Sequence, residues 1–319
     1  MSFQCCPASG DLPERWVFQD RGVEATLVPS AGMNLTSLGI DGVPFLDLPS
    51  SLGEFMKHVQ TGGVPLLHPW ANRLRGDGYV AGGTEVDLSG FAGLKRDDNG
   101  LPIHGLVLRS PDFRIEVDGG RAAVGSLDWG PDVWGFQAFP FPHRLQVRWE
   151  IESIPGSVRA VCTMSVDAGD RDVPLGSGWH PYFAPGGLDR DTPLEVRSPS
   201  LRKVALDHLG LPVREGGALS MLGEKTFDGP IGETAYDDLF VAPSDGWEVE
   251  IRRGSAGIRI AADEHWPMLQ IYAPVDAGYV CVEPMLAPTA ALSDGRARIV
   301  PAGGSFSASF ILAAGPIES

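Results

Sequence analysis

The sequence predicts an all-β chain folded as a large antiparallel sandwich, and three observations predict it. Long runs alternate apolar and polar residues with the period of a half-buried strand. The 319 residues include 41 glycines and 27 prolines, the turn formers that many short strands require. No stretch reads as a capped amphipathic helix of ten or more residues, which removes βαβ crossovers and the parallel nucleotide-binding folds built from them. Taken in order, residues 15–40 supply two or three strands, and Arg114–Val117 another. In His143–Ser153, Leu145, Val147, Trp149 and Ile151 alternate with Arg144, Gln146, Arg148 and Glu150. The following run alternates through Val158, Ala160, Cys162, Met164 and Val166, and Ile154-Pro155-Gly156 between them predicts a hairpin turn. A second hairpin runs from Trp247, Val249 and Ile251 through Gly254-Ser255-Ala256-Gly257 to Ile258 and Ile260. Phe306, Ala308 and Phe310 mark a closing strand. No linker, repeat or low-complexity segment interrupts the chain, so residues 1–319 are expected to form one domain.

Charge narrows the function. The formal net charge is −16 and the sequence pI about 4.8, the wrong sign for a nucleic-acid backbone or an anionic membrane surface. No apolar run approaches the roughly 20 residues of a membrane span. The start, MSFQCCPASGDLPERW, has neither a basic region nor an apolar one, so a cytoplasmic location is expected. Cys5, Cys6, Cys162 and Cys281 match neither a zinc nor a disulfide spacing and are expected to be buried free thiols. No H-x-H occurs among the seven histidines. No metal or other cofactor is expected.

Several segments break the alternation and gather side chains that are costly to bury. They are Gly62–Arg73, Leu101–Gly105, Gly176–Phe183, Ala235–Phe240 and Val282-Glu283-Pro284. Each sets ionisable residues beside Gly, Pro or an aromatic ring, the composition of a small-molecule site carried on loops of a rigid scaffold. Taken singly, each has a plainer reading. His104 could sit in a satisfied turn, Glu283 could be the first solvated residue after a strand, and Asp237-Asp238 could be an exposed turn.

Taken together, Asn72-Arg73, Ile103-His104-Gly105, His180-Pro181-Tyr182-Phe183, Asp237-Asp238-Leu239-Phe240, Leu269-Gln270-Ile271-Tyr272 and Val282-Glu283-Pro284 occur in one order along most of the chain. This set resembles the aldose 1-epimerase (galactose mutarotase) family. The resemblance implies a galactose mutarotase-like β-sandwich with a sugar cleft, a small-molecule sugar partner and no cofactor. It matches His180 to the general acid and Glu283 to the general base. Asn72, Arg73, His104, Asp237 and Gln270 match positions that hold sugar hydroxyls. The spacing to Phe240 favours Asp237 over Asp238. Trp70, Trp179 and Tyr182 are candidates to stack on the sugar ring.

The chemistry suits those residue types. Exchanging anomers means taking a proton from the C1 hydroxyl while giving one to the ring oxygen, so a base and an acid must flank neighbouring oxygens. Each well-placed group contributes on the order of 100- to 10,000-fold. Glu283 is expected as the carboxylate, and His180 as an imidazolium kept charged by Asp237. Other readings stay open: a hexose-6-phosphate 1-epimerase using Arg75, Arg96 or Arg109, a non-catalytic sugar-binding protein, and a glycosidase pairing Asp237 with Glu283. The oligomeric state is not legible in the sequence.

Overall fold

The computed structural model describes residues 2–188 and 191–317. Both expected hairpins are present. His143–Ile154 pairs antiparallel with Ser157–Ala168 along its whole length, with Ile154 opposite Ser157. The Pro155-Gly156 turn works because Gly156 takes a left-handed φ of +72° without a Cβ penalty. Trp247–Arg253 pairs with Ala256–Ala262, so the second turn narrows to Gly254-Ser255. Among the described residues the α-helical segment is Leu52–Lys57, capped by the Ser51 side chain, which accepts a hydrogen bond from the Glu54 N–H.

These hairpins join into a nine-stranded sheet, in the order 228–231, 194–197, 247–253, 256–262, 305–316, 157–168, 143–154, 122–129 and 114–118. One face carries Leu145, Val147, Trp149, Met164, Ile260 and Phe310, all buried. The other carries ion pairs such as Arg148 with Asp118 and Arg259 with Glu250. A second sheet of eight strands runs in the order 221–225, 201–204, 236–241, 268–273, 280–285, 178–179 and 66–67, with 182–183 also on 280–285. Trp179 of this sheet meets Trp149 and Phe310 of the first edge-on, at ring-centroid distances of 5.9 and 5.5 Å. That contact sits in the core between the sheets, the sandwich arrangement. A five-stranded meander of residues 4–44 closes one side, with the Trp149 indole N–H donating to the Met33 carbonyl.

The eight-stranded sheet is also covered on its outer face, which is what permits a buried site there. Val280–Met285 is buried at every position. On that outer face Leu67, Ala71, Leu108, Val204, Leu239, Met268 and Met285 form a second, smaller apolar cluster. The cysteines divide. Cys162 and Cys281 are buried as expected, whereas Cys5 is exposed and Cys6 half-buried because their short strand lies at a sheet edge.

Candidate active site

Three cross-strand rows build the site on the outer face of the eight-stranded sheet. Val241, Met268, Met285 and Gly178 form an apolar row. Asp237, Tyr272, Cys281 and Tyr182 form the row four residues further along. Between them lie Leu239, Gln270 and Glu283. Pairing of 178–183 with 280–285 is interrupted at His180-Pro181, yet Gly178 faces Met285 and Tyr182 faces Cys281 in one unshifted register. That register sets His180 opposite Glu283. Their side chains meet, with His180 Nε2 3.3 Å from Glu283 Oε1.

A cavity of about 390 Å³ opens over this pair, in the size range of small-molecule sites. Of the residues singled out in the sequence, Asn72, Arg73, His104, His180, Tyr182, Asp237 and Glu283 line it. Gln270 stands behind the lining, its Nε2 donating to Asp237 Oδ1 at 2.6 Å. Asp238 points to the opposite face and pairs with Lys203 at 2.7 Å. Trp70 and Trp179 are buried and do not line the cavity, because strand alternation turns Trp179 into the core between the sheets. Tyr182 does line it, but its ring is stacked on His180.

Two loops bring Asn72 and His104 together. The His104 N–H donates to the Asn72 carbonyl at 2.9 Å, and a single bridge joins Arg73 to Ile103. Both Asn72 and His104 hold left-handed backbone, with φ of +49° and +66°, a conformation that is uncommon for side-chain-bearing residues and concentrates at functional sites. Gly105 is required beside them, since a Cβ there would lie 2.3 Å from the His68 carbonyl oxygen.

Arg73 is held in place. Its Nε donates to Asp97 Oδ2 at 2.7 Å, and its outer nitrogen lies 3.8 Å from Asp237. Burial opposes charge on Asp97, but Arg73 and the backbone N–H groups of Leu101 and Asn99 outweigh it and hold the carboxyl below its usual range. Segment 95–99, together with Thr61 and Tyr272, completes much of the wall, and the sequence reading missed it in this role. Of this segment the sequence reading names only Arg96, as a candidate for binding phosphate. The available signal was its position five to nine residues before His104.

Electrostatics of the central pair differ from the sequence expectation. Burial pushes His180 down to about 3, and Lys95 adds to that. Burial also raises Glu283 well above the usual carboxylate range, reinforced by Asp237 and opposed by Arg73. The negative charge of Asp237 thus acts on the glutamate and does not keep the imidazole cationic. Desolvation wins because both groups are almost sealed. The pair favours one shared proton, held by Glu283 beside a neutral imidazole. Glu283 Oε2, His180 Nδ1 and His104 Nδ1 have no hydrogen-bond partner among the described residues, so the site offers unpaired donors and acceptors to a hydroxyl-rich ligand.

The three arginines considered for phosphate are occupied. Arg75 bonds Asp294 through two nitrogens, and Arg109 donates to the carbonyls of Leu108, Phe55, His58 and Gln60. Arg96 reaches the cavity wall but spends its guanidinium on Asp77, Gly100 and Leu88.

A comparison with curated proteins found no match. Among solved structures, a galactose mutarotase-like protein from Clostridium acetobutylicum superposes with a TM-score of 0.74 at 16% identity, covering 99% of both chains. Galactose 1-epimerase from Lactobacillus acidophilus gives 0.70 at 16% identity, over 99% of this chain and 98% of that one. A galactose mutarotase-like protein from Lactobacillus casei gives 0.69 at 16%, over 94% and 99%. These likenesses establish the fold. The sequence model of the aldose 1-epimerase family matches residues 15–313. The chain therefore belongs to the aldose 1-epimerase family.

Proposed function

We propose that this protein is an aldose 1-epimerase that exchanges the α and β anomers of an unphosphorylated hexose. The observation that carries the reading is the meeting of His180 and Glu283, 3.3 Å apart, beneath a cavity of about 390 Å³. Ring opening moves the C1 hydroxyl proton to Glu283 as the C1–O5 bond breaks, and His180 delivers a proton to O5. The open aldehyde turns about C1–C2, and the reverse transfers close the ring on its other face. Proton number is conserved, because the pair carries one proton before and after each half-reaction. Passing it from Glu283 to His180 prepares the imidazolium, and contact at 3.3 Å supports that transfer.

The remaining groups hold the sugar. Arg73, held by Asp97, supplies fixed guanidinium donors. Asp237 accepts hydrogen bonds from sugar hydroxyls on the same wall, and His104 stands edge-on to His180 with ring centroids 5.2 Å apart. With Arg75, Arg96 and Arg109 occupied, no free guanidinium among the three favours a phosphorylated substrate.

Polarimetry on freshly dissolved α-glucose and α-galactose tests the proposal. Wild-type protein is expected to speed the approach to anomeric equilibrium, and His180→Gln and Glu283→Gln to return it to the spontaneous rate. Full activity in both variants would overturn the assignment.

A further inference from the structure

We propose that Thr61 is a positioning residue that holds the plane of the His180 ring through Tyr182, an inference that rests on the anomer-exchange reading above. A working histidine is commonly oriented by a hydrogen bond to its far ring nitrogen. Among the described residues Nδ1 of His180 has no such partner. Besides the Glu283 contact at Nε2, what orients the ring is stacking. Tyr182 lies against it at a centroid distance of 4.7 Å with the two planes 8° apart.

Tyr182 is itself anchored. Its hydroxyl is 2.6 Å from Thr61 Oγ1. The segment bearing Thr61 is tied to the segment bearing His180, with the Tyr182 N–H donating to Gly63 and the His180 N–H to Pro65. Behind it, buried Asn34 donates to the Gly62 carbonyl and accepts from the Val64 N–H. Gly63 fits there because its φ is +68° and a Cβ would lie 2.7 Å from the Leu35 carbonyl oxygen. Thr61 therefore stands on a braced loop, and its hydroxyl fixes the phenol that fixes the imidazole. The phenol face also favours the positive charge that reaches His180 during turnover. Tyr182 thereby acts on His180, whereas the sequence reading has it as a candidate to stack on the sugar ring.

The test is a double-mutant cycle on Thr61→Val and Tyr182→Phe, with Thr61→Ser as the conservative variant. We expect Thr61→Val to lower kcat about tenfold while KM stays within about twofold, since a small misplacement of a reacting group is costly. Tyr182→Phe should lose a similar factor, the double variant no more than either single, and Thr61→Ser should recover most of the rate. A wild-type kcat in Thr61→Val, losses that multiply, or a loss confined to KM would each overturn the proposal. Nitrogen NMR of the His180 ring provides a second arm that needs no turnover. Thr61→Val and Tyr182→Phe should shift or broaden its signals and Thr61→Ser should not, and unchanged signals overturn the proposal. Should the wild-type protein fail to exchange anomers, the functional reading falls, and this arm still decides the role of Thr61.

Discussion

Asp237 and Asp238 are adjacent in one strand and serve opposite faces of its sheet. Asp237 lines the cavity and accepts from Gln270, while Asp238 pairs with Lys203 on the far side. Asp237→Asn is expected to lower kcat/KM about 100-fold, the cost of a charge-assisted bond at a reacting sugar. Asp238→Asn should leave kcat/KM unchanged and cost at most about 1 kcal/mol of stability, because its ion pair is partly exposed. Steady-state kinetics and denaturant unfolding of the two variants check this, and equal kinetic losses would refute it.

The pH profile follows from the shared proton. With His180 lowered to about 3 and Glu283 raised, the one-proton state lies between those two titrations, and the rate should be flat from above about 3 up to the alkaline limb set by Glu283. Activity should fall on the alkaline side, where Glu283 releases the last proton. Asp237 raises Glu283, so Asp237→Asn should bring that alkaline limb to lower pH. An acid limb centred near 6.5, the ordinary histidine value, would contradict this account.

Asp97 holds the Arg73 guanidinium at 2.7 Å. Asp97→Ala frees Arg73 and leaves the backbone donors of Asn99 and Leu101 without their acceptor. KM should rise about tenfold with a smaller change in kcat, the signature of lost ground-state binding. Isothermal titration with a slow sugar analogue, compared with wild type, provides the check.

Outside the site, a buried chain of histidines sets acid stability. His143 Nδ1 faces the Phe141 carbonyl at 2.7 Å, the two Nε2 atoms of His143 and His68 lie 3.0 Å apart, and His68 Nδ1 faces Ser177 Oγ at 2.9 Å. The network assigns His143 Nδ1, His68 Nε2 and Ser177 as donors in turn, with both rings neutral. Burial pushes His143 down to about 4 and His68 well below its ordinary value, the latter helped by His143. A group lowered in the folded state binds more protons when unfolded. Its stabilisation is complete above about pH 6.5 and is lost as pH falls through about 4, on the order of 3 kcal/mol for a shift of this size. The raised Glu283 works in the opposite direction over part of that range. Thermal unfolding of wild type and His143→Gln between pH 7 and 4 is the measurement. The variant should start less stable and show the shallower slope.

The regular strands were legible because alternation is a local signal, and His143–Ala168 shows it at nearly every position. The site residues were legible as departures from that signal, each beside Gly, Pro or an aromatic ring. Asp97 and Thr61 were not, because their work depends on what the fold brings opposite them: an arginine 24 residues away and a tyrosine 121 residues away. The charge state of His180 was misread for the same reason. Burial is a property of the assembled sheet, and no stretch of sequence around His180 reports how completely Glu283 and Tyr182 enclose it.

The unshifted register between 178–183 and 280–285 has a consequence for anyone altering this protein. The pairing of His180 with Glu283 is inherited from the register of neighbouring strands, and side chains such as Tyr182 only refine the plane of the imidazole. Adding or deleting one residue between Gly178 and Tyr182 would change which side of the sheet the following residues present. Such an indel should abolish turnover while sparing most of the fold, whereas transplanting the two segments together with 61–65 should keep His180 facing Glu283.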